Sequence, residues 1–211
     1  SALVSAALPK TIAEIPRAMF ASCTALKSIE IPGGVTKIGD RVFEESGLET
    51  IVIPGSVREL GSWTFHSCTA LAAVSLSGAM TEIPGYLFQK CTALKSIEIP
   101  ESVVRIDFAA FGGSGLEAIV IPGSVREIRF AAFENCSALA SLTLLPGVVE
   151  IKSLAFKNCT ALRAVDIPES VEKIGKEAFL GCTGLREVML SQKTALESGV
   201  FPPDTEIKYS D

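Results

Sequence analysis

The ten residues Cys91-Thr92-Ala93-Leu94-Lys95-Ser96-Ile97-Glu98-Ile99-Pro100 set the architecture, because they also stand at 23–32 without a change. A softened copy, Cys-Thr-Ala-Leu-Arg-Ala-Val-Asp-Ile-Pro, fills 159–168, so the copies lie 68 residues apart each time. Around them nine of the eleven phenylalanines, Phe20, Phe43, Phe65, Phe88, Phe111, Phe133, Phe156, Phe179 and Phe201, recur at intervals of 22 or 23. Three such intervals sum to 68, and GLETIVIPGSVR at 47–58 returns as GLEAIVIPGSVR at 115–126. The chain reads as a duplicated three-repeat block. A unit this short cannot bury its own apolar face, so the units are expected to stack into a solenoid.

Within a unit the hydrophobic period changes. Ile29-Glu30-Ile31, Ile51-Val52-Ile53, Val74-Ser75-Leu76, Ile97-Glu98-Ile99, Ile119-Val120-Ile121, Leu142-Thr143-Leu144, Val165-Asp166-Ile167 and Val188-Met189-Leu190 alternate with period two, which predicts a short strand with its middle residue facing out. A proline usually follows, as at Pro32, Pro54, Pro100, Pro122 and Pro168, and ends the ladder for want of an N–H. Apolar pairs three apart come next, Val35 with Ile38 through Val171 with Ile174, predicting a second extended piece. The closing segment, such as Lys176–Cys182, fits one tight helical or 3₁₀ turn anchored by its Phe. The expected fold class is thus an α/β repeat, with a parallel sheet on one face and short strands or single helical turns on the other.

At this point the residues resemble a known family. The pattern Leu-x-x-Ile-x-Ile-Pro-x-x-Val-x-x-Ile-x-x-x-x-Phe-x-x-Cys, running from about Leu8 to Phe201, is similar to the BspA-like, Treponema pallidum-type leucine-rich repeats. The resemblance implies a right-handed leucine-rich-repeat solenoid, a setting at the cell surface, in the periplasm or outside the cell, and roles in adhesion or other protein contacts. It supplies no catalytic residues. One solenoid over 1–211 is expected, of about nine units, with a C-terminal cap over about 191–211. The last unit departs from the pattern: Glu197 stands where an Ile would be in register, and Pro202-Pro203 follow Phe201.

Composition narrows the functional classes. Hydrophobic residues make up 48% of the chain, enough for a large core, and the formal charge of −5 comes from interspersed acids and bases. That balance gives no electrostatic footprint for nucleic acid, and no apolar run is long enough for membrane insertion. The start, Ser1 to Lys10, has no basic segment and too short an apolar part for a signal peptide, so any targeting peptide is expected to be absent or already removed.

Site chemistry is sparse. Cys23, Cys68, Cys91, Cys136, Cys159 and Cys182 each follow a ladder Phe by three residues and read as buried free thiols acting as small hydrophobes. A Cys68–Cys91 disulfide would have to meet strict geometry, and no Cys-x-x-Cys pair suggests zinc. The single histidine, His66, has no nucleophile and acid recurring beside it, and reads as structural. Gly112-Gly113 lacks the Gly-Lys-Ser/Thr of a phosphate loop. Glu30, Glu98 and Asp166 share a column but lie three units apart, about 14 Å at the spacing of adjacent strands, too far to share a metal. No catalytic, cofactor or metal residue is assigned.

What remains is the exposed strand face. Its two columns give a candidate strip of Ser28, Glu30, Thr50, Val52, Ala73, Ser75, Ser96, Glu98, Ala118, Val120, Ser141, Thr143, Asp166 and Met189. Small side chains with intermittent valines and isolated acids suit a protein or extended peptide ligand, and the absence of aromatic rings argues against sugars or bases. The ends differ. Ala6-Ala7-Leu8 align with Ile29-Glu30-Ile31 and carry no charge before Lys10, so this edge is expected to be covered by upstream residues or by a second copy as a homodimer. At the other end the candidate strand Glu206–Tyr209 is expected to close the stack.

Overall fold

The computed structural model describes residues 3–76 and 78–210. The chain coils through three pieces per turn, two of them extended, and each piece stacks on its counterpart in the next coil. The first is the alternating segment. Thr50–Val52 pairs with Ala73–Ser75, Ala118–Ile121 with Ser141–Leu144, and Ala164–Asp166 with Glu187–Ser191, which pairs in turn with Glu206–Ser210. All are parallel, and the alternation is as expected: Thr50 and Val52 are exposed, Ile51 and Ile53 buried. The segments at Ile29–Ile31 and Ile97–Ile99, anticipated as strands, keep that inside-out alternation but form no ladder.

Where a proline follows the alternating segment it begins a turn as well as ending the ladder, because its carbonyl accepts the N–H three residues on. Val35, Val57, Val103, Val125 and Val171 donate to Pro32, Pro54, Pro100, Pro122 and Pro168 at 2.9–3.0 Å. The chain then enters the second piece. Here Glu14–Ile15, Lys37–Ile38 and Glu59–Leu60 form one parallel sheet, and Glu82–Ile83, Arg105–Ile106, Glu127–Ile128, Glu150–Ile151, Lys173–Ile174 and Ala195–Leu196 another. The second piece is therefore the more continuous sheet, so strands occupy two faces. Leu196, and not Glu197, pairs with Ile174, which corrects the register read for the last unit.

The third piece departs most from expectation. No helix of any kind is present among the described residues, so the α component of the expected fold class falls away. The residues two before and two after each ladder Phe have φ between 47° and 78°, in the left-handed region, from Ala18 and Ser22 through Glu177 and Gly181. Two left-handed residues four positions apart in each segment forbid a helix and give successive tight turns, Ala21 N–H to Ala18 O at 3.1 Å and Cys23 N–H to Phe20 O at 3.3 Å. It also turns the N–H of three residues per segment toward the following coil. Arg41, Phe43 and Glu45 donate to Ser62, Thr64 and His66 at 3.0, 2.9 and 2.8 Å, and the equivalent donors recur from Ala18 to Phe179. Fourteen of these left-handed residues are not glycine, each costing roughly 1–2 kcal/mol, which the inter-coil bonds offset.

Packed beside this spine, the phenylalanines form one row. Phe20 to Phe201 stack in sequence with ring centroids 5.0–5.6 Å apart, and Phe43 to Phe179 are fully buried. The buried side chains form one contiguous core from Ile15 to Val200. Shape complementarity along a single file leaves no neighbour able to fill a vacated ring. Phe111→Ala is expected to destabilise the protein by about 3–5 kcal/mol in denaturant unfolding, against little change for the 44% exposed Phe108→Ala. Equal losses for the two variants would contradict the role given to the row.

Candidate protein-binding face

The strip is held outward by the alternation of the first ladder. Ser28, Glu30, Thr50, Val52, Ala73, Ser75, Ser96, Glu98, Ala118, Val120, Ser141, Thr143 and Asp166 are exposed, and Met189 is half-buried. Parallel register sets Thr50 beside Ala73, Val52 beside Ser75, Ala118 beside Ser141, Val120 beside Thr143, and Asp166 beside Met189. Ser28, Glu30, Ser96 and Glu98 lie on the segments that form no ladder. Where pairing lapses, shallow grooves open on the face: 370 Å³ between Ser28–Ile31 and Thr50–Pro54, 440 Å³ between Ser96–Ile99 and Ala118–Pro122, and 270 Å³ between Leu142–Leu144 and Ala164–Asp166. Each groove carries one of Glu30, Glu98 or Asp166.

Charge on the face is uneven. Glu30, Glu98 and Asp166 make no ion pair among the described residues, whereas Lys27–Glu49 and Lys95–Glu117, one column away, each close at 3.1 Å. Val52 and Val120 remain 66% and 53% exposed. The strip therefore presents neutral small side chains, two prominent valines and carboxylates three coils apart.

The opposite side carries features the sequence reading passed over. Trp63 and Tyr86 stack with centroids 4.3 Å apart and planes 5° from parallel, Arg41 lies 4.9 Å over Trp63, and Arg129 lies 5.3 Å over Phe108. Phe108 and Phe130 are 44% and 47% exposed. The signal was present, since Trp63 and Tyr86 each stand two residues before a ladder Phe and Phe108 and Phe130 three before. Because Trp63 is covered by Arg41 on one face and Tyr86 on the other, it has no open ring face for a sugar.

The thiols and the histidine are likewise placed by the coil. All six cysteines are buried and free. Sγ of Cys68, Cys91, Cys136, Cys159 and Cys182 donates to the carbonyl of Phe43, Phe65, Phe111, Phe133 and Phe156 at 2.9–3.3 Å. Ser46 and Ser114 replace cysteine at two coils and sit 3.4 Å from Cys68 and Cys136. Burial pushes the Cys68 and Cys136 thiols up to about 11 and raises Cys91 as well. His66 is half-buried, and burial lowers its pKa, with nearby Lys90 and Arg41 adding to the effect against Glu44 and Glu45. Its Nδ1 has no hydrogen-bond partner among the described residues, so no base–orienter pair forms there. Nor do three of His, Cys, Asp and Glu gather as a metal-binding group among the described residues.

Two parallel ladders, a turn-built spine and an internal Phe row at 22–23 residues per coil define a leucine-rich-repeat solenoid. The model of the BspA type leucine rich repeat region matches in six copies over residues 1–117 and 105–209, and the chain belongs to that family. Among solved structures, a leucine-rich repeat protein of T. pallidum is 25% identical with a TM-score of 0.68, covering 86% of this chain and 78% of its own. One from Bacteroides ovatus is 26% identical with a TM-score of 0.51, covering 97% and 77%. A leucine rich cell surface protein from Faecalibacterium prausnitzii shares the fold at 19% identity and a TM-score of 0.50, covering 95% and 83%. No curated protein matches the chain.

The thiol geometry generates a measurable expectation. Native protein should react slowly with a thiol reagent at neutral pH and show no mass change on reduction, since all six thiols are buried from the reagent and burial disfavours the thiolate of Cys68, Cys91 and Cys136. Because the folded pKa lies above the ordinary 9.0, the unfolded chain releases these protons first, so stability is retained below pH 9 and falls between pH 9 and about 11. Replacing Cys68 and Cys136 by Ser, which two coils already use, should flatten that fall. Fast labelling of all six thiols in native protein would contradict the burial.

Proposed function

We propose that this solenoid is a non-enzymatic protein-binding scaffold that holds an extended segment of a partner along the strip, in adhesion or host contact at a cell surface. The observation that carries the reading is the strip itself: Val52 and Val120, both more than half exposed, beside Glu30 and Glu98 on grooves that repeat after 68 residues. Repetition after three coils, about 14 Å, matches four to five residues of extended chain, so two basic side chains at that spacing would each meet one of the carboxylates. Small flanking residues let a backbone approach closely, and modest apolar burial with unneutralised charge suits specificity and fast association more than extreme affinity. The T. pallidum, B. ovatus and F. prausnitzii relatives support the class of scaffold and say nothing of the ligand.

Self-association is the second reading. Glu14–Ile15 heads its ladder with a neighbour on one side only, and Val4 is 69% exposed beside the half-buried Ala6 and Leu8, so a second copy pairing at this edge would cover them. The two readings separate in one experiment. Val52→Asp with Val120→Asp is expected to abolish partner capture from cell-surface extracts while leaving the circular dichroism and the mass by light scattering unchanged. Capture that survives this double variant counts against the strip. Loss of a dimer on Val4→Lys, with capture intact, would favour the edge.

A further inference from the structure

Cutting the coil after any residue leaves three lines of contact across the cut: the first ladder, the second ladder and the spine. At the cut between Ala73–Ser75 and Glu82–Ile83, both ladders are open among the described residues. Ala73–Ser75 pairs back to Thr50–Val52 but has no partner ahead at Ser96–Ile99, and Glu82–Ile83 pairs ahead to Arg105–Ile106 but not back to Glu59–Leu60. Elsewhere from Glu14–Ile15 to Ala195–Leu196 the second ladder is continuous, so lapses in the first ladder are bridged on the other face. Across this cut the spine persists: Trp63, Phe65 and Ser67 donate to Gly85, Leu87 and Gln89 at 3.2, 3.1 and 2.8 Å, beside the Phe65–Phe88 and Trp63–Tyr86 stacks.

The cause is in the sequence. At other coils the residue after the ladder Ile donates to the ladder carbonyl behind it, as Gly61 N–H does to Ile38 O at 2.8 Å and Lys152 N–H to Ile128 O at 2.9 Å. At the open cut this residue is Pro84, which has no N–H to give Leu60. The same block position is Pro16 just after the first strand of the ladder among the described residues, and Lys152 one block later, where the ladder continues. Charge repeats the comparison. Glu127 and Glu150 are direct neighbours, and Lys152 lies 3.4 and 2.7 Å from them. Their block equivalents Glu59 and Glu82 face the open junction, at one end of a groove of 580 Å³ that runs from Glu14 past Lys37 and Glu59 to Pro84, and Pro84 supplies no cation between them. Glu59 is held instead by Lys37, and Glu82 by Arg105.

We infer that the solenoid carries a built-in bending line here, about which the two halves flex on the spine while both ladders gape. The cut falls between the Val52–Ser75 and Glu98–Val120 parts of the strip, so bending changes their separation whatever they bind. Pulsed electron resonance between spin labels measures it, with the buried native thiols left unlabelled. One pair, Ser28→Cys and Ala118→Cys, spans the cut; the other, Ser96→Cys and Arg186→Cys, lies one 68-residue block later and spans the equivalent position at Lys152. All four sites are exposed. The first distance distribution is expected to be broader than the second, to narrow to the second's width on Pro84→Lys, and the second to broaden on Lys152→Pro. Equal widths in the otherwise native chain, or a broad first distribution that Pro84→Lys leaves unchanged, would overturn the inference. Should Lys152→Pro fail to fold, the Pro84→Lys comparison decides alone.

Discussion

Phe43 donates its N–H to Thr64 in the next coil while its ring lies on Phe65, and that double contact, repeated at every junction, is what the remaining structure depends on. It requires left-handed residues on both sides of each phenylalanine, and the cost is borne because a chain with three donors all facing one way can bond only to a neighbouring coil. Ring stacking and hydrogen bonding thus fix one common spacing. The strands on the other two faces inherit it.

That inheritance explains why the ladders tolerate interruption. Ile29–Ile31 and Ile97–Ile99 form no ladder, yet the coil of Ile29–Ile31 stays stacked through the spine and the second ladder, and that of Ile97–Ile99 stays on the preceding coil through the spine. A face that is not needed to hold the coils together can vary its side chains, and the strip varies them toward small, apolar and acidic. Interior columns show the reverse. Phe, Cys or Ser, and the Leu three residues after each Cys recur because every position is filled by neighbours above and below, at the packing density of a protein interior.

Stability in such a stack is close to a sum of unit and nearest-neighbour terms. One proline in the second ladder therefore acts locally, opening that ladder between two coils while the spine between them and the other junctions of the ladder remain. Duplication of the block carried the proline position with it, and substitution by Lys152 in the later copy shows the same junction closed. Two copies of one block thus differ in mechanics through one residue and its amide hydrogen.

Much was legible in the chain itself. The 22–23 residue spacing of the phenylalanines specified a stacked repeat, the Ile-x-Ile alternation specified which residues face out, and both survive because periodicity reports burial directly. The outward position of the strip residues was legible for the same reason, and so was the strand expected over Glu206–Tyr209, which runs one residue further to Ser210. The nature of the Phe-bearing segment was not. Its left-handed columns hold Arg41, Trp63, Tyr86 and Leu154 as well as Asn135, Asn158 and Gly181, so the local preference that marks such residues is diluted, and the bonds that stabilise them run to residues 21 or 22 positions away. The register at Leu196 and the opening at Pro84 were hidden likewise. Both depend on which backbone groups meet across coils, and a missing N–H has consequences only once a carbonyl, here that of Leu60, is brought opposite it.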